Sequence, residues 1–178
     1  MSAICVFCAS STTIDPSHLE LAAAVGREIA RRGHSLVSGG GRVSMMGALA
    51  GAARTGGAHT AGVIPQHLVD LEVADTEADE LVVVQTMRQR KAEMDLRADA
   101  FLVLPGGLGT LEEMFEVWTT RSLLMHTKPV VLLDPDGVFD GLWAVLADLG
   151  RQGFLRASAL RAVTVARELT AAFTALEA

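Results

Sequence analysis

The regular alternation of short apolar runs with segments of helical periodicity is the feature that most constrains the fold of this sequence. Apolar residues fill nearly every position of the short runs, which is typical of strands buried on both faces of a parallel sheet. Between these runs, apolar side chains recur at the spacing of one helix face, as they do from Leu19 to Ala30. The pattern predicts an α/β protein with a Rossmann-like, doubly wound and mainly parallel sheet and helices on both faces. The predicted strands are 3–9, 34–37, 58–64, 81–84, 100–104, 129–133 and 162–165.

Several helix boundaries can be predicted from local signals. Asp15 and Pro16 form a typical N-cap and first helical residue, and Gly33 is a typical C-terminal stop. We expect further helices at 44–55, 86–97, 111–125, 138–149 and the C terminus, and a longer acidic connection at 65–79. At 178 residues the chain suits a single domain, which we expect to span residues 1–178.

Composition and charge argue against several classes of function. Half of the residues are apolar, which is enough for a sizeable core, and the formal net charge is −6. Proteins that bind nucleic acid polymers normally carry a basic excess instead. No apolar run reaches the roughly 18 residues of a membrane span, and residues 1–9 lack the basic segment of a signal peptide. We therefore expect a cytoplasmic protein that binds neither a nucleic acid polymer nor a membrane.

The segment Cys5-Val6-Phe7-Cys8 has the C-x-x-C spacing of redox and metal sites. A redox pair normally opens a helix, where the helix dipole lowers the thiol pKa. This pair lies instead in a predicted strand, with its side chains on opposite faces. The five histidines are scattered and add no zinc ligands at close spacing. We expect two core cysteines and no metal site, with redox or metal chemistry as the less favoured alternative.

Two glycine-rich loops, 38–44 and 105–110, each follow a predicted strand and precede a helix. Such junctions present backbone N–H groups and a helix N-terminus to a phosphate. Neither loop is a P-loop, because no Lys-Ser/Thr pair follows, and neither completes G-x-G-x-x-G, because Ser44 and Glu112 occupy the last positions. Tight strand-to-helix packing explains either loop alone, but two such loops at one edge of a sheet favour a phosphate site.

Charged residues near the second loop have both structural and functional interpretations. Thr110 and Glu113 have the spacing of a capping box, so that a helix beginning at Thr110 is the favoured interpretation on spacing alone. Arg90 and Lys91 would by default lie on a solvated helix face and pair with acidic residues within the next turn or so.

Two motifs together point to a known family. Residues 87–91 match M-x-x-R-K, and residues 105–113 match P-G-G-x-G-T-x-x-E. In this order and spacing the chain resembles the LOG family of cytokinin riboside 5′-monophosphate phosphoribohydrolases, whose members are often mislabelled as lysine decarboxylases. Residues 8–11, the glycine triplet with Met46-Gly47, and residues 126–129 extend the resemblance over most of the chain.

The resemblance implies an activity and a set of site residues. It implies hydrolysis of the N-glycosidic bond of cytokinin riboside 5′-monophosphates, and of AMP, to a free base and ribose 5-phosphate, by a homodimer without a metal or organic cofactor. Arg90 and Glu113 would be catalytic. Substrate-binding residues would be Glu72, Lys91, Gly106, Gly107, Gly109, Thr110, Glu112 and, more weakly, Thr119, with the three glycines and Thr110 on the phosphate.

The implied roles agree with the chemistry. Cleavage of an N-glycosidic bond gives the ribose oxocarbenium character, which a carboxylate such as Glu113 stabilises or attacks directly. A guanidinium such as Arg90 stays charged at all working pH values and can orient the substrate or stabilise charge on the departing base. An unphosphorylated nucleoside should be a poor substrate, because binding of the remote phosphate fixes the reacting bond in place.

Other functions remain open from the sequence. A general purine monophosphate nucleosidase is one, because no base-reading residue can be identified; Met87 and Met125 are apolar candidates, although core packing explains them equally well. A nucleotide-binding or molybdenum-cofactor carrier module is another, but it would not need both Arg90 and Glu113. A lysine decarboxylase is disfavoured, since no pyridoxal phosphate site is visible.

Three departures from the family pattern, Ser38, Arg42 and Ser44, affect base preference and loop shape more than reaction type. The helix predicted at 111–125 is apolar around much of its circumference, which favours cover by the core or by a partner subunit. Apolar residues around this circumference include Met114, Phe115, Trp118, Leu123 and Leu124.

Overall fold

A computed structural model describes residues 1–71 and 73–178 of the chain. Its sheet has seven strands in the order β4-β3-β2-β1-β5-β6-β7, and every neighbouring pair is parallel. The strands are β1 Ala3–Phe7, β2 Ser35–Ser38, β3 Thr60–Pro65, β4 Glu80–Val84, β5 Ala100–Val103, β6 Val130–Leu133 and β7 Thr164–Ala166. The predicted fold class and all seven predicted strands are confirmed.

Eight helices surround this sheet within the described part of the chain. They are α1 Pro16–Arg31, α2 Ser44–Thr55, α3 Gln66–Asp70, α4 Met87–Arg97, α5 Leu108–Ser122, α6 Asp140–Arg151, α7 Ala157–Leu160 and α8 Leu169–Leu176. The predicted caps of the first helix are confirmed: the Asp15 carboxylate accepts a hydrogen bond from the Ser17 N–H, Pro16 is the first helical residue, and Gly33 follows at φ 72°.

The two faces of the sheet bury separate apolar clusters. Along β1 the side chains alternate, so that Ile4 and Val6 join one cluster while Cys5 and Phe7 join the other. Helices α1, α2 and α8 cover the first cluster, and α4, α5 and α6 cover the second. Both cysteines are free and buried, as predicted.

The strand order reverses between β1 and β5. From β1 the chain winds outward through β2, β3 and β4, then returns to the other side of β1 and continues through β5, β6 and β7. The helices that follow β1 and β5 lie on opposite faces, which leaves a crevice at the carboxyl ends of these strands.

The helix after β5 does not have the predicted bounds. It runs from Leu108 to Ser122 and not over 111–125. Gly109 lies in its first turn, where a glycine costs less than in a helix interior. At the other end Leu124 takes a left-handed conformation at φ 60°, although no glycine marks this stop in the sequence.

The connection 65–79 contains the short helix α3, and a second short helix, α7, precedes β7; neither was predicted. Among the residues described, no group of His, Cys, Asp or Glu side chains is arranged to hold a metal ion. The described helices also include none long and apolar enough to cross a membrane.

Candidate active site

A cavity of about 510 Å³ lies in the crevice where the strand order reverses. The ends of three strands open into it: Phe7 and Cys8 from β1, Gly39 just beyond β2, and Pro105 beyond β5. Both glycine-rich loops therefore meet at this edge, as their positions in the sequence predict.

The second glycine loop forms one wall of the cavity. Gly106, Gly107, Gly109 and Thr110 all line it. Gly107 is the N-cap of α5 and provides no side-chain cap, so the first N–H groups of the helix have no intrahelical acceptor. A β-carbon on Gly106 would lie 2.1 Å from the Thr110 hydroxyl oxygen, which explains why the residue facing Thr110 is a glycine. This wall can hold an anion at a helix N-terminus.

The capping-box interpretation of Thr110 and Glu113 is wrong. Because α5 begins at Leu108, Thr110 is already the third helical residue, and Glu113 cannot reach back as an N3 side chain. Glu113 points toward Arg90 instead. The spacing S/T-x-x-E is ambiguous in sequence, and here the earlier helix start removes its structural explanation.

Arg90 belongs to the interior and not to a solvated helix face. Thr86 and Gln89 form a capping box that starts α4 immediately before it. The guanidinium then spans three segments of the chain: Nε donates to the Val63 carbonyl at 3.1 Å, Nη2 to the Gly39 carbonyl at 3.3 Å, and Nη1 to Glu113.

The Arg90–Glu113 ion pair is the central polar feature of the cavity. Arg90 Nη1 lies 2.9 Å from Glu113 Oε1, and each residue is only 9 % exposed. Burial raises the pKa of the Glu113 carboxyl above its ordinary value; Arg90 opposes this rise and Glu112 adds to it. A buried carboxylate held by one guanidinium retains free lone pairs, which suits it to face a developing positive charge.

Lys91 and Glu112 lie beside this pair but differ in their relation to the cavity. Glu112 lines it, whereas Lys91 does not, and the Lys91 ammonium forms ion pairs with Glu112 and, at 2.6 Å, with Glu116. These two carboxylates raise the pKa of Lys91. Thr119 is exposed and lies away from the cavity wall.

The first glycine loop packs against Arg90 and against the acidic connection. A β-carbon on Gly39 would lie 1.8 Å from Arg90 Nη2. The Arg42 N–H donates to the Val73 carbonyl at 2.8 Å, and the Asp75 N–H donates to the Gly40 carbonyl at 2.8 Å. The connection is thus held at the edge of the site. Glu72, the substrate-binding candidate in this connection, lies outside the described residues.

Several residues on the cavity wall were not identified from the sequence. They are Ser10, Ser11, Ile14, His18, Met45, Met46 and Leu68. They follow β1, β2 or, for Leu68, β3, and this position at the carboxyl edge of the sheet was the available signal. Of the two methionines considered for the base, Met87 lines the cavity, whereas Met125 is 70 % exposed and lies elsewhere.

Sequence comparisons place this chain among well-defined relatives. A family model described as "Possible lysine decarboxylase" matches residues 46–176. The cytokinin riboside 5′-monophosphate phosphoribohydrolase of Mycobacterium marinum is 51 % identical over 172 residues, which cover 97 % of this chain and 91 % of the relative. The Arabidopsis thaliana protein of the same name, LOG2, is 42 % identical over 92 % of this chain and 76 % of its own length.

Solved structures support the fold. A molybdenum cofactor binding protein from Rippkaea orientalis superposes with a TM-score of 0.75 at 23 % identity, over 99 % of this chain and 95 % of its own. The molybdenum cofactor carrier protein of Chlamydomonas reinhardtii gives a TM-score of 0.73 at 21 % identity, over 99 % and 96 % of the two chains. At these identities the likeness concerns the fold alone.

Proposed function

This chain belongs to the LOG family of cytokinin riboside 5′-monophosphate phosphoribohydrolases, and we propose that it hydrolyses the N-glycosidic bond of such nucleotides to a free base and ribose 5-phosphate. Identity of 42–52 % to relatives of this name, over at least 91 % of the chain, supports the reaction class. The observation that carries the assignment to this site is the buried Arg90–Glu113 pair in the cavity at the strand-order reversal.

Glu113 acts at the anomeric carbon. As the C1′–N9 bond lengthens, the ribose gains positive charge, which the Glu113 carboxylate stabilises. Burial raises the pKa of the Glu113 carboxyl, and the pair with Arg90 favours the ionised form, since the guanidinium opposes this rise. Water then bonds to the anomeric carbon through its oxygen, and one of its protons balances the departing base, which leaves as the neutral free base.

Arg90 positions Glu113, and its positive charge balances the negative charge that develops on the departing base. Two of its hydrogen bonds go to backbone carbonyls, of Val63 and Gly39, so the guanidinium is fixed before substrate binds. A fixed charge needs no reorganisation during the reaction, which is the main source of electrostatic catalysis.

The phosphate binds at the start of α5. The first N–H groups of this helix and the Thr110 hydroxyl supply donors there, and the helix dipole adds favourable potential. Gly107 and Gly109 leave open space above the backbone, so that the anion can approach it closely. The ribose separates the phosphate from Glu113, whose negative charge would otherwise repel it.

The substrate range extends to AMP in this proposal. Cytokinin nucleotides and AMP share the ribose 5-phosphate and the purine ring, and every assigned contact so far involves the sugar or the phosphate. Apolar side chains, including Met46, Met87 and Leu68, line other parts of the cavity and can accommodate a substituent on the base.

We infer that the active form is a cytoplasmic homodimer. The two cysteines are free thiols, which suits a reducing compartment. On α5 itself, Met114 and Trp118 are covered by the protein's own core, but Leu123, Leu124 and Met125, just beyond the end of the helix, are 66–89 % exposed. A second copy of the chain would cover this patch.

The test is incubation of purified protein with AMP and with N6-isopentenyl-AMP, following release of base and ribose 5-phosphate by chromatography. Glu113→Gln should reduce kcat by about 100- to 1000-fold, the usual effect of losing one electrostatic contact to the transition state. Arg90→Ala should reduce kcat by at least the same factor. The ratio of kcat/KM for the two nucleotides reports whether cytokinin activation is the principal reaction.

Matched controls lie on the same helices. Arg88 on α4 and Glu116 on α5 are exposed and lie off the cavity wall. Arg88→Ala and Glu116→Gln should therefore retain activity. Binding of either nucleotide by folded wild-type protein, without release of any base, would reject the hydrolase and favour a carrier role.

A further inference from the structure

The cavity has a wall that the assigned contacts leave unused. It is built by the start of α1 and by α2, two helices that pack against each other on one face of the sheet. Ile14, Met45 and Met46 make this wall largely apolar, and His18, in the first turn of α1, is its polar member. A flat apolar ring with a polar edge, such as a nucleobase, is the part of a nucleotide that suits such a surface.

The imidazole of His18 has no hydrogen-bond partner among the described residues. Three buried side-chain nitrogens lack a partner in this part of the chain: His18 Nδ1, His126 Nδ1 and Trp143 Nε1. Of the three residues, His18 alone lines the cavity. His126 differs because its other ring nitrogen lies 3.1 Å from the Val117 carbonyl oxygen, which fixes the ring within the structure.

A polar atom that is buried without a partner destabilises the protein, and a ligand that supplies the partner removes this penalty. Rotation of the His18 ring by half a turn about Cβ–Cγ exchanges Nδ1 with Cδ2 and leaves the outline of the ring almost unchanged. In the present ring orientation Nδ1 is buried, and the half-turn moves it to the position of Cδ2. An imidazole N–H can donate to an unprotonated nitrogen.

We propose that His18 binds the base of the substrate by donating a hydrogen bond to a purine ring nitrogen, N1, N3 or N7. This inference rests on the proposed function, which assigns the phosphate to the start of α5 and the ribose to Glu113 and leaves the base for the remaining wall. His18 is then a specificity-determining residue: it distinguishes a purine with an acceptor at that position from an isosteric ring that carries C–H there.

Deaza nucleotides test this contact atom by atom. Binding of AMP, 1-deaza-AMP, 3-deaza-AMP and 7-deaza-AMP is measured by calorimetry in the Glu113→Gln background, with and without His18→Phe. With His18 present, one of the three analogues should bind about 3- to 10-fold more weakly than AMP, the usual effect of one hydrogen bond. With His18→Phe, the same analogue should bind as well as AMP. With Glu113 intact, the ratio of kcat/KM for AMP to kcat/KM for this analogue should be larger in the protein with His18 than in His18→Phe, as for binding.

Two further variants make the result decisive. His59 is exposed and precedes β3 at the opposite edge of the sheet, so His59→Phe should keep the discrimination of the wild type. His18→Gln retains an N–H donor and should restore part of it. If His18→Phe does not fold, His18→Leu, which also lacks an N–H donor, replaces it.

Equal ratios with and without His18, for all three analogues, would overturn the inference. That result is distinct from failure of the proposed function, which would appear as absence of base release by wild-type protein. The calorimetric comparison decides the role of His18 in either case.

Discussion

At the scale of single residues, Arg90 and Glu113 illustrate why an ion pair in a cavity differs from one at the surface. By default Glu113 would cap a helix and Arg90 would lie on a solvated helix face, where an ion pair contributes only tenths of a kcal/mol. Burial changes this, because a charge removed from water must be compensated by its partners. The Arg90 guanidinium satisfies this requirement with three separate acceptors.

The raised pKa of Glu113 predicts a pH dependence of catalysis. The carboxylate must be ionised to stabilise the ribose cation, so activity is lost as the pH falls through the Glu113 pKa. Since that pKa lies above the ordinary 4.5 in the ligand-free protein, the acid limb of kcat/KM, which reports the free enzyme, should have its midpoint above pH 4.5. The measurement is kcat/KM across the acid range.

Glu112 provides the control for this pH profile. Its negative charge adds to the rise in the Glu113 pKa, so Glu112→Gln should move the midpoint of the acid limb to lower pH. The substrate phosphate titrates near pH 6 and is common to both proteins. An unchanged midpoint in Glu112→Gln would show that Glu113 is not the titrating group.

Glu28 on α1 offers a residue-scale prediction for stability. Hydrogen bonds from Arg31 and Arg32 lower its pKa to about 2, although partial burial opposes the shift. The ionised form is thus favoured by folding, and its contribution is complete above the ordinary pKa of 4.5 and is lost as the pH falls toward 2. Because Arg31 is largely exposed, we expect the contribution to be about 1–2 kcal/mol.

Urea unfolding as a function of pH measures the contribution of the Glu28 ion pairs to stability. Glu28→Gln should lower the free energy of unfolding by this amount at pH 7, and the difference from wild type should close between about pH 4.5 and pH 2. Glu20→Gln, at an exposed position on the same helix, should have little effect at either pH. A deficit of Glu28→Gln that persists at pH 2 would exclude the ion pairs as its cause.

At the scale of elements, the crossing of α1 and α2 depends on small residues. A β-carbon on Gly26 would lie 2.3 Å from the Leu49 carbonyl oxygen and 2.9 Å from the Ala53 nitrogen, both backbone atoms. The helices can approach this closely only because Gly26 has no side chain. The crossing sets the position of the wall that carries His18 and Met46.

The substitution Gly26→Ala should therefore separate the helices and lower the free energy of unfolding by about 1–3 kcal/mol, the usual cost of overpacking. Gly51→Ala on α2 is the matched control, because a β-carbon there meets nothing within 4 Å. That change should stabilise the protein by about 0.5–1 kcal/mol through helix propensity. Chemical denaturation of both variants measures their free energies of unfolding. Equal changes in this free energy would contradict the close approach of α1 and α2.

The elements that the sequence predicted well are those with repeated signals. Apolar positions that recur over several residues predicted α1 and the seven strands correctly. The start of α5 was misplaced because the choice between Leu108 and Leu111 depends on how the glycine loop packs. The helices α3 and α7 span only five and four residues, too few for a periodic pattern to emerge.

At the scale of the whole molecule, the site is an assembly of segments far apart in the chain. The motifs and the family resemblance identified the Arg90–Glu113 pair and the glycine loop. They did not identify Val63 and Gly39 as acceptors for Arg90, because those contacts are made by backbone carbonyls, which carry no residue-type signal. The wall with His18 was missed for a different reason: its residues follow β1 and β2 at the carboxyl edge of the sheet, but no motif distinguishes them from other residues there.

The proposed homodimer gives a prediction for the whole molecule. Light scattering coupled to size-exclusion chromatography should give twice the chain mass of 18.8 kDa at micromolar concentration. Leu124→Asp should shift this mass toward the monomer if the exposed patch at 123–125 is the contact. Phe154→Asp, at a residue 75 % exposed elsewhere, should leave it unchanged. A wild-type mass of one chain on dilution across the micromolar range would reject the dimer.

The three hydrogen bonds of Arg90 also predict which site residues are retained in homologous proteins. In a homologue that does not cleave nucleotides, Glu113 has no catalytic role, whereas Arg90 can still tie the strand β3 to the loop after β2, provided that another group balances its buried charge. Arg90 should therefore be retained in homologues that have lost the activity, so its presence in a distant homologue indicates a shared fold. The carboxylate at position 113 is the better marker of a homologue that still cleaves nucleotides.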